Sequence, residues 1–264
     1  AGGLPERGGL EAVMSFRSKL AYYLRVIARY TDDPAQLAMR RYYFIPQMYA
    51  AFKQPWLQAL GIATVIDVGA SVGDFAFTIR PLLPQAQIYS FEPLPDCYAA
   101  IQRHMSAAAR FQAFNLALGD RSGELAFYRS SHAPSSSFLP MADAHKDAFP
   151  TTAGAQPVMV KVARLDTVAD QLAIVDPLLV KIDVQGYEGH VLAGGERTIR
   201  RAALVIIETS FRPLYEGQPL FADVYRILTG WGFTYAGALA QLPHPKNGDL
   251  VQEDSLFINR SQVG

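Results

Sequence analysis

Four apolar runs in this chain end in acids or glycines, the residue types that can do chemistry at the end of a buried strand. Val65-Ile-Asp-Val-Gly-Ala-Ser-Val-Gly73 breaks from an apolar run into a turn, and Ile88-Tyr-Ser-Phe-Glu-Pro93 ends its run in Glu92. Leu178-Leu-Val-Lys-Ile-Asp183 and Ala203-Leu-Val-Ile-Ile-Glu208 end in acids as well. A carboxylate so placed can accept hydrogen bonds from the two hydroxyls of a ribose, meet a cationic group, or take a proton.

The glycine turn narrows the ligand. Gly69 lacks a Cβ, so the backbone can turn tightly and approach a ligand, and Gly73 permits close packing where a helix leaves the strand. A dinucleotide site needs Gly-x-Gly-x-x-Gly so that a pyrophosphate can lie on exposed backbone N–H groups. Here position 71 is Ser and the pattern is Asp67-x-Gly69-x-x-x-Gly73. A carboxylate at Asp67 would repel a pyrophosphate and suits a cation. S-Adenosylmethionine carries two, a sulfonium and an α-ammonium. The expected cofactor contacts are Asp67, Gly69, Ala70, Ser71, Gly73, Glu92 and Pro93, joined by Asp183. Asn115, Ala117 and Leu118 are candidates for adenine or ribose, weighed against simple turn duty. The plainer alternative for the first segment is a strand-to-helix turn whose Asp67 caps the helix.

Asp183, Glu208 and His244 are the candidates for addressing a methyl acceptor. Asp183 and Glu208 end neighbouring strands, where they could serve as a base, fix the pocket by hydrogen bonds, or hold a divalent cation. The cation is not favoured, because Thr209 and Ser210 follow Glu208 and supply no clear third ligand, and no metal site is assigned. His244 lies in Leu242-Pro-His-Pro-Lys-Asn-Gly-Asp249, a loop that returns on the active side if the strand before it is parallel and the one after it antiparallel. An exposed turn histidine is the alternative. Glu188, in the first turn of a helix, either meets the helix dipole or contacts ligand. Cys97 and His104 read as structural, His104 as a solvated surface residue.

Positioning these groups requires a doubly wound α/β sheet, with ligands at the carboxyl ends of parallel strands. Helices are expected from Asp74 to Arg80, Pro95 to Ala109, beyond Gly186, and from Leu220 to Thr229. Further strands are expected at Phe111–Leu118, Glu124–Arg129, Val158–Leu165, Phe233–Ala236 and Ser255–Asn259. Residues 130–157 form a long Ser/Ala/Pro-rich tract with Ser135-Ser-Ser137, His132 and His145, read as a lid or substrate-selecting loop against a plain surface insertion. Between Phe16 and Leu60 aromatic and basic residues interleave. Leu20, Tyr23, Ile27 and Tyr30 recur at helical spacing, which reads as a helical cap on the sheet rather than a single-strand nucleic-acid surface. The expected division is a cap over 1–60 and a cofactor-binding domain over 61–264.

With 264 residues the chain can bury a substantial core. A formal net charge of zero gives no global pull toward nucleic acid or anionic membrane. The single cysteine allows no intrachain disulfide, no apolar run is long enough to span a bilayer, and the N-terminus has no signal-peptide pattern. A cytoplasmic protein is expected, with a homo-oligomer left open.

The ordered set of Ile66-Asp-Val-Gly-Ala70, Phe91-Glu-Pro93, Asn115-Leu-Ala-Leu-Gly-Asp120, Leu165-Asp-Thr167, Lys181-Ile-Asp-Val-Gln-Gly-Tyr-Glu188 and the strand ending at Glu208 resembles the FkbM-type S-adenosylmethionine-dependent methyltransferases. The resemblance covers most of Ile62 to Asn259. It implies a Rossmann-like, mostly parallel seven-stranded sheet with the last strand antiparallel, and methyl transfer to a hydroxyl of a sugar or glycan, a polyketide-like metabolite or another small molecule. Gln185 stands where many relatives carry Glu. Two other classes stay open: a nicotinamide-dependent oxidoreductase, and a non-catalytic cofactor-binding module whose N-terminal region binds RNA or a partner.

Overall fold

The apolar runs become strands because each is short, rich in β-branched residues and closed by a glycine, a proline or an acid. A computed structural model of the chain describes residues 44–129, 136–142, 156–244 and 247–262. In chain order they form α1 (Pro46–Phe52), α2 (Pro55–Gln58), β1 (Thr64–Val68), α3 (Asp74–Ile79), β2 (Gln87–Phe91), α4 (Pro95–His104), β3 (Phe111–Phe114) and β4 (Ala117–Gly119). There follow β5 (Gly123–Arg129), β6 (Gln156–Arg164), α5 (Leu165–Ala169), β7 (Leu178–Ile182), α6 (Glu188–Arg200), β8 (Leu204–Ser210), α7 (Phe221–Gly230), β9 (Thr234–Pro243) and β10 (Leu250–Ile258).

Among the described residues seven strands form one sheet in the order β3-β2-β1-β7-β8-β10-β9. The neighbours from β3 to β8 are parallel, and β10 is antiparallel to both β8 and β9. This is the Rossmann-like sheet with an antiparallel last strand that the motifs imply. Strand order reverses between β2 and β7 on either side of β1, which opens a crevice at the carboxyl ends of these strands.

Alternation assigns each side chain to a face. On one face Val65, Leu179, Leu204 and Ile206 pack with Met48 and Phe52 of α1, Leu57 of α2, and Phe75 and Ile79 of α3. On the other, Ile66, Val180, Val205 and Ile207 pack with Val191 and Leu192 of α6 and Leu228 of α7. The last part of the expected cap therefore shares the core of the sheet, with Phe52 edge-on to Phe75 at 5.9 Å between ring centroids. The cap's earlier part, including Leu20, Tyr23, Ile27 and Tyr30, lies outside the described residues, as do Ser135, His132 and His145.

Three boundaries differ from expectation. The single strand expected over Phe111–Leu118 is two: β3 joins the main sheet, and β4 pairs with β6 in a separate three-stranded sheet of order β4-β6-β5. The break falls at Asn115, whose Nδ2 donates to the carbonyls of Glu92 (3.0 Å) and Pro93 (2.8 Å) and turns the chain from one sheet to the other. At the carboxyl end, β9 and β10 run longer than expected and meet in a hairpin. Helix α4 ends at His104, with Met105 as its C-cap. No helix of the described residues is long and apolar enough to cross a membrane.

Candidate active site

At the crevice lies a cavity of about 260 Å³, at the small end of ligand sites. Gly69, Ser71, Glu92, Pro93, Ala117, Leu118, Asp183 and Glu208 are on its wall. Asp67, Ala70, Gly73, Asn115 and His244 are not. Phe127 of β5, Phe138 of the segment 136–142, and Cys97 complete an apolar side that sequence reasoning missed. No local signal marks Phe127 and Phe138. They meet edge-on, 4.8 Å between centroids, only because the small sheet and that segment pack against Leu94 and Cys97 at the start of α4.

The glycine turn is built from within. The N–H groups of Gly69 and Ala70 both donate to the Phe91 carbonyl at 3.0 Å, so neither is left to cradle a phosphate. Gly69 has φ +77°, and a Cβ there would sit 1.8 Å from the Asp183 carbonyl oxygen. The need for glycine is thus the close approach of β7's end rather than of a ligand. A Cβ on Gly73 would find Ile101 at an ordinary 3.4 Å, so its φ of +93°, not tight packing, explains the residue.

Glu92 is almost wholly buried, at 6% exposure. One of its oxygens accepts from Ser71 N and the other from Leu94 N, each at 2.9 Å. Each oxygen keeps a second lone pair, so the carboxylate can still receive ribose hydroxyls. Burial lifts its pKa to about 7, with the two N–H donors partly opposing. The bond to Ser71 also holds that residue in the left-handed region, at φ +50°.

Asp67 is placed differently from the expectation that it addresses a cationic cofactor. It lies fully buried in mid-strand, with Lys181 directly across the β1–β7 pair. The cation it faces is the protein's own: the Lys181 ammonium stands 3.6 Å from Asp67 Oδ1 and 3.3 Å from Asp183 Oδ2, and donates to the Gly69 carbonyl at 3.3 Å. Burial alone would lower the lysine's pKa, but the charges of Asp183 and Asp67 carry it above the usual value. Burial raises the pKa of Asp67. Sequence pattern offered one clue to this lysine, a charged residue inside an otherwise apolar strand.

Also on the cavity wall, Gln185 joins Asp183 to Glu208. Its Nε2 donates to Asp183 Oδ1 at 2.9 Å and to Glu208 Oε2 at 2.8 Å. Burial, followed by the negative charges of Asp183, Glu188 and Asp254, raises the pKa of Glu208 well above the ordinary value. Asp254, opposite Glu208 in the β8–β10 register, is raised to about 6, first by burial and then by Asp183.

Glu188, His244 and His104 are not on the cavity wall. Glu188 Oε1 accepts from Val184 N and Gly186 N, both at 3.1 Å, and so closes the loop between β7 and α6. His244 stands at the β9–β10 hairpin, where its backbone closes the turn with Gly248 and Asp249. The loop is at the active end of the sheet, since Gln252 of β10 pairs with Ser210 at the end of β8, but His244 is not on the cavity wall. His104 is not simply solvated: its Nδ1 donates to the Val72 carbonyl at 2.9 Å. Cys97 is buried, and its thiol is pushed up to about 12 by burial and the charges of Glu92 and Asp96, which leaves little thiolate. Among the described residues no three His, Cys, Asp or Glu side chains are grouped to hold a metal ion.

Comparison with known proteins matches residues 67–235 to the methyltransferase FkbM domain. The chain is 27% identical over 193 residues to the 2-O-methyltransferase NoeI of Sinorhizobium fredii, covering 71% of this chain and 77% of that protein. It is 29% identical over 171 residues to the methyltransferase sdnD of Sordaria araneosa, covering 55% of this chain and 65% of that one. Among solved structures, Aeropyrum pernix fibrillarin with natively bound S-adenosyl-L-methionine aligns at a TM-score of 0.41 and 12% identity, over 80% of this chain and 76% of that one.

Proposed function

This chain belongs to the FkbM methyltransferase family, and from that premise we propose that it is an S-adenosylmethionine-dependent O-methyltransferase acting on a hydroxyl of a small molecule or glycan. The observation that carries the reading is one cavity whose wall carries both a ribose-type carboxylate, Glu92, and the carboxylates Asp183 and Glu208, which Gln185 links. The similarity to NoeI, a 2-O-methyltransferase, supports oxygen as the acceptor atom.

The residues present fit the cofactor. Glu92 would hold its ribose, Phe127, Phe138, Leu94 and Ala117 its adenine, and Asp183 with Glu208 its positive charge. When bound, the cofactor would supply a methyl group on a sulfonium sulfur, with a neutral thioether as its leaving group. The protein holds the acceptor hydroxyl in line and takes its proton late in the step. Glu208 and Asp183, both on the cavity wall and joined through Gln185, are placed to hold that hydroxyl and receive its proton. The Phe127–Phe138 side keeps water out.

We assign residues 1–60 a part in choosing the acceptor. With one cysteine in 264 residues, the chain is suited to a reducing compartment such as the cytoplasm. A nicotinamide cofactor fits poorly, because the N–H groups of Gly69 and Ala70 are spent on Phe91.

Calorimetric titration with S-adenosylhomocysteine and, in parallel, NAD tests the reading. Binding of the former alone is expected. Binding of NAD alone, or of neither, would overturn it.

A further inference from the structure

Gln185 is held from every side. Its backbone is left-handed at φ +55°, a conformation that residues other than glycine, asparagine and aspartate rarely adopt. Its carbonyl accepts from Ser137 Oγ at 2.6 Å, and its side-chain Oε1 accepts from the Tyr215 hydroxyl at 3.0 Å. Tyr215 is fully buried, so the direction of that hydroxyl is fixed by its surroundings. With Oε1 turned to Tyr215, the amide nitrogen must face Asp183 and Glu208, and it reaches both, at 2.9 and 2.8 Å. The reverse orientation would set an amide oxygen against two carboxyl groups.

We propose that Gln185 is a positioning residue whose amide nitrogen takes the place that a bound cation would occupy between Asp183 and Glu208. Two carboxyl groups this close repel when ionised, unless a proton, a metal ion or a donor lies between them. The amide supplies two N–H bonds and no charge. It aligns both groups on the cavity wall and leaves the second oxygen of Glu208 for the acceptor, so that the site holds its shape without a divalent cation. Asp183 is fixed from the opposite side by Lys181, 3.3 Å from its other oxygen. A carboxylate in position 185 would bring a third negative charge to the same point and no donor, converting the clamp into a cation site. The inference goes beyond the transfer reaction and rests on that reading only for what the clamp serves.

The test is a titration of cofactor-free protein with Mn²⁺, read by electron paramagnetic resonance of the free ion. Wild type, Asp183→Asn, Gln185→Glu and the double variant Gln185→Glu/Asp183→Asn are compared, with folding checked by circular dichroism. Wild type should show no Mn²⁺ site that Asp183→Asn removes. Gln185→Glu should gain one site, at least about tenfold tighter than any binding by wild type, and the double variant should lose it. An Asp183-dependent Mn²⁺ site in wild type would overturn the proposal, and so would a folded Gln185→Glu protein that gains none. Should that variant not fold, Gln185→Leu removes the donors without adding charge. It too should bind Mn²⁺ more tightly than wild type, and equal binding would overturn the proposal. Failure of the methyltransferase reading would appear separately, as wild type that does not bind S-adenosylhomocysteine, and leaves the Mn²⁺ comparison intact.

Discussion

Glu92 combines two duties that pull on its proton. Its oxygens fasten the Ser71 and Leu94 backbone, while burial holds its pKa near 7. Ribose hydroxyls donating to it would favour the charged form and lower that value. Binding of S-adenosylhomocysteine at pH 7 should therefore release about half a proton, seen as a dependence of the measured heat on the ionisation enthalpy of the buffer. Glu92→Gln should abolish the release. It should also weaken binding roughly tenfold or more, the cost of about 1.5 to 3 kcal/mol expected for a lost charged hydrogen bond. A binding heat independent of buffer would take Glu92 out of the ribose site.

The element that sets the site is the junction of β1's turn with the end of β7. Gly69 lets the turn pass the Asp183 carbonyl, and Lys181 ties both to Asp67 beneath them. Gly69→Ala would force a Cβ to within 1.8 Å of that carbonyl at a φ of +77°. A backbone atom cannot swing aside as a side chain can, so β7 and the turn must separate. The expected loss is about 2 to 4 kcal/mol, measured as a fall in the denaturation midpoint, together with weaker binding of S-adenosylhomocysteine. A variant as stable as wild type would show that the junction is looser than drawn.

Across the whole molecule, buried acids make stability depend on pH in an unusual sense. Burial raises Glu92 and Glu188 to about 7, and Asp74 and Asp254 to about 6. Below the ordinary carboxyl range both folded and unfolded chains are protonated, and these groups cost nothing. As pH rises, the unfolded chain ionises first while the folded one holds its protons. Stability then falls until the folded values are passed, by at most about 3 kcal/mol for each of the two glutamates. Asp96 and Asp120 are shifted downward by Arg129 and Arg121, and their stabilising contribution is complete before this window opens. The melting temperature should therefore drop by at least about 5 °C between pH 5 and pH 8, and Glu188→Gln should flatten the slope. A melting temperature that rises over this range would contradict protonated buried acids.

The sequence by itself determined the order of strands and helices, the crevice, and which acids end which strands, because a strand's apolar run and its terminal residue are local properties. Glu92, Asp183 and Glu208 reach the cavity for that reason. Tertiary structure alone decided the partners. Asp67 has the same local signature as a ligand-binding acid, yet it belongs to Lys181, because β7 is the strand that pairs with β1. Phe127 and Phe138 became walls through a second sheet, two of whose strands read from the sequence but whose separate pairing does not. His244, at the tip of the β9–β10 hairpin, is not among the residues of the cavity wall. Gln185, which reads as a departure from a carboxylate pattern, became the link between two acids only when its left-handed turn aimed it at both. Period and composition fix the face a residue takes and the end it occupies. Which residues then meet there depends on strand neighbours and register, and these are set by contacts far apart in the chain.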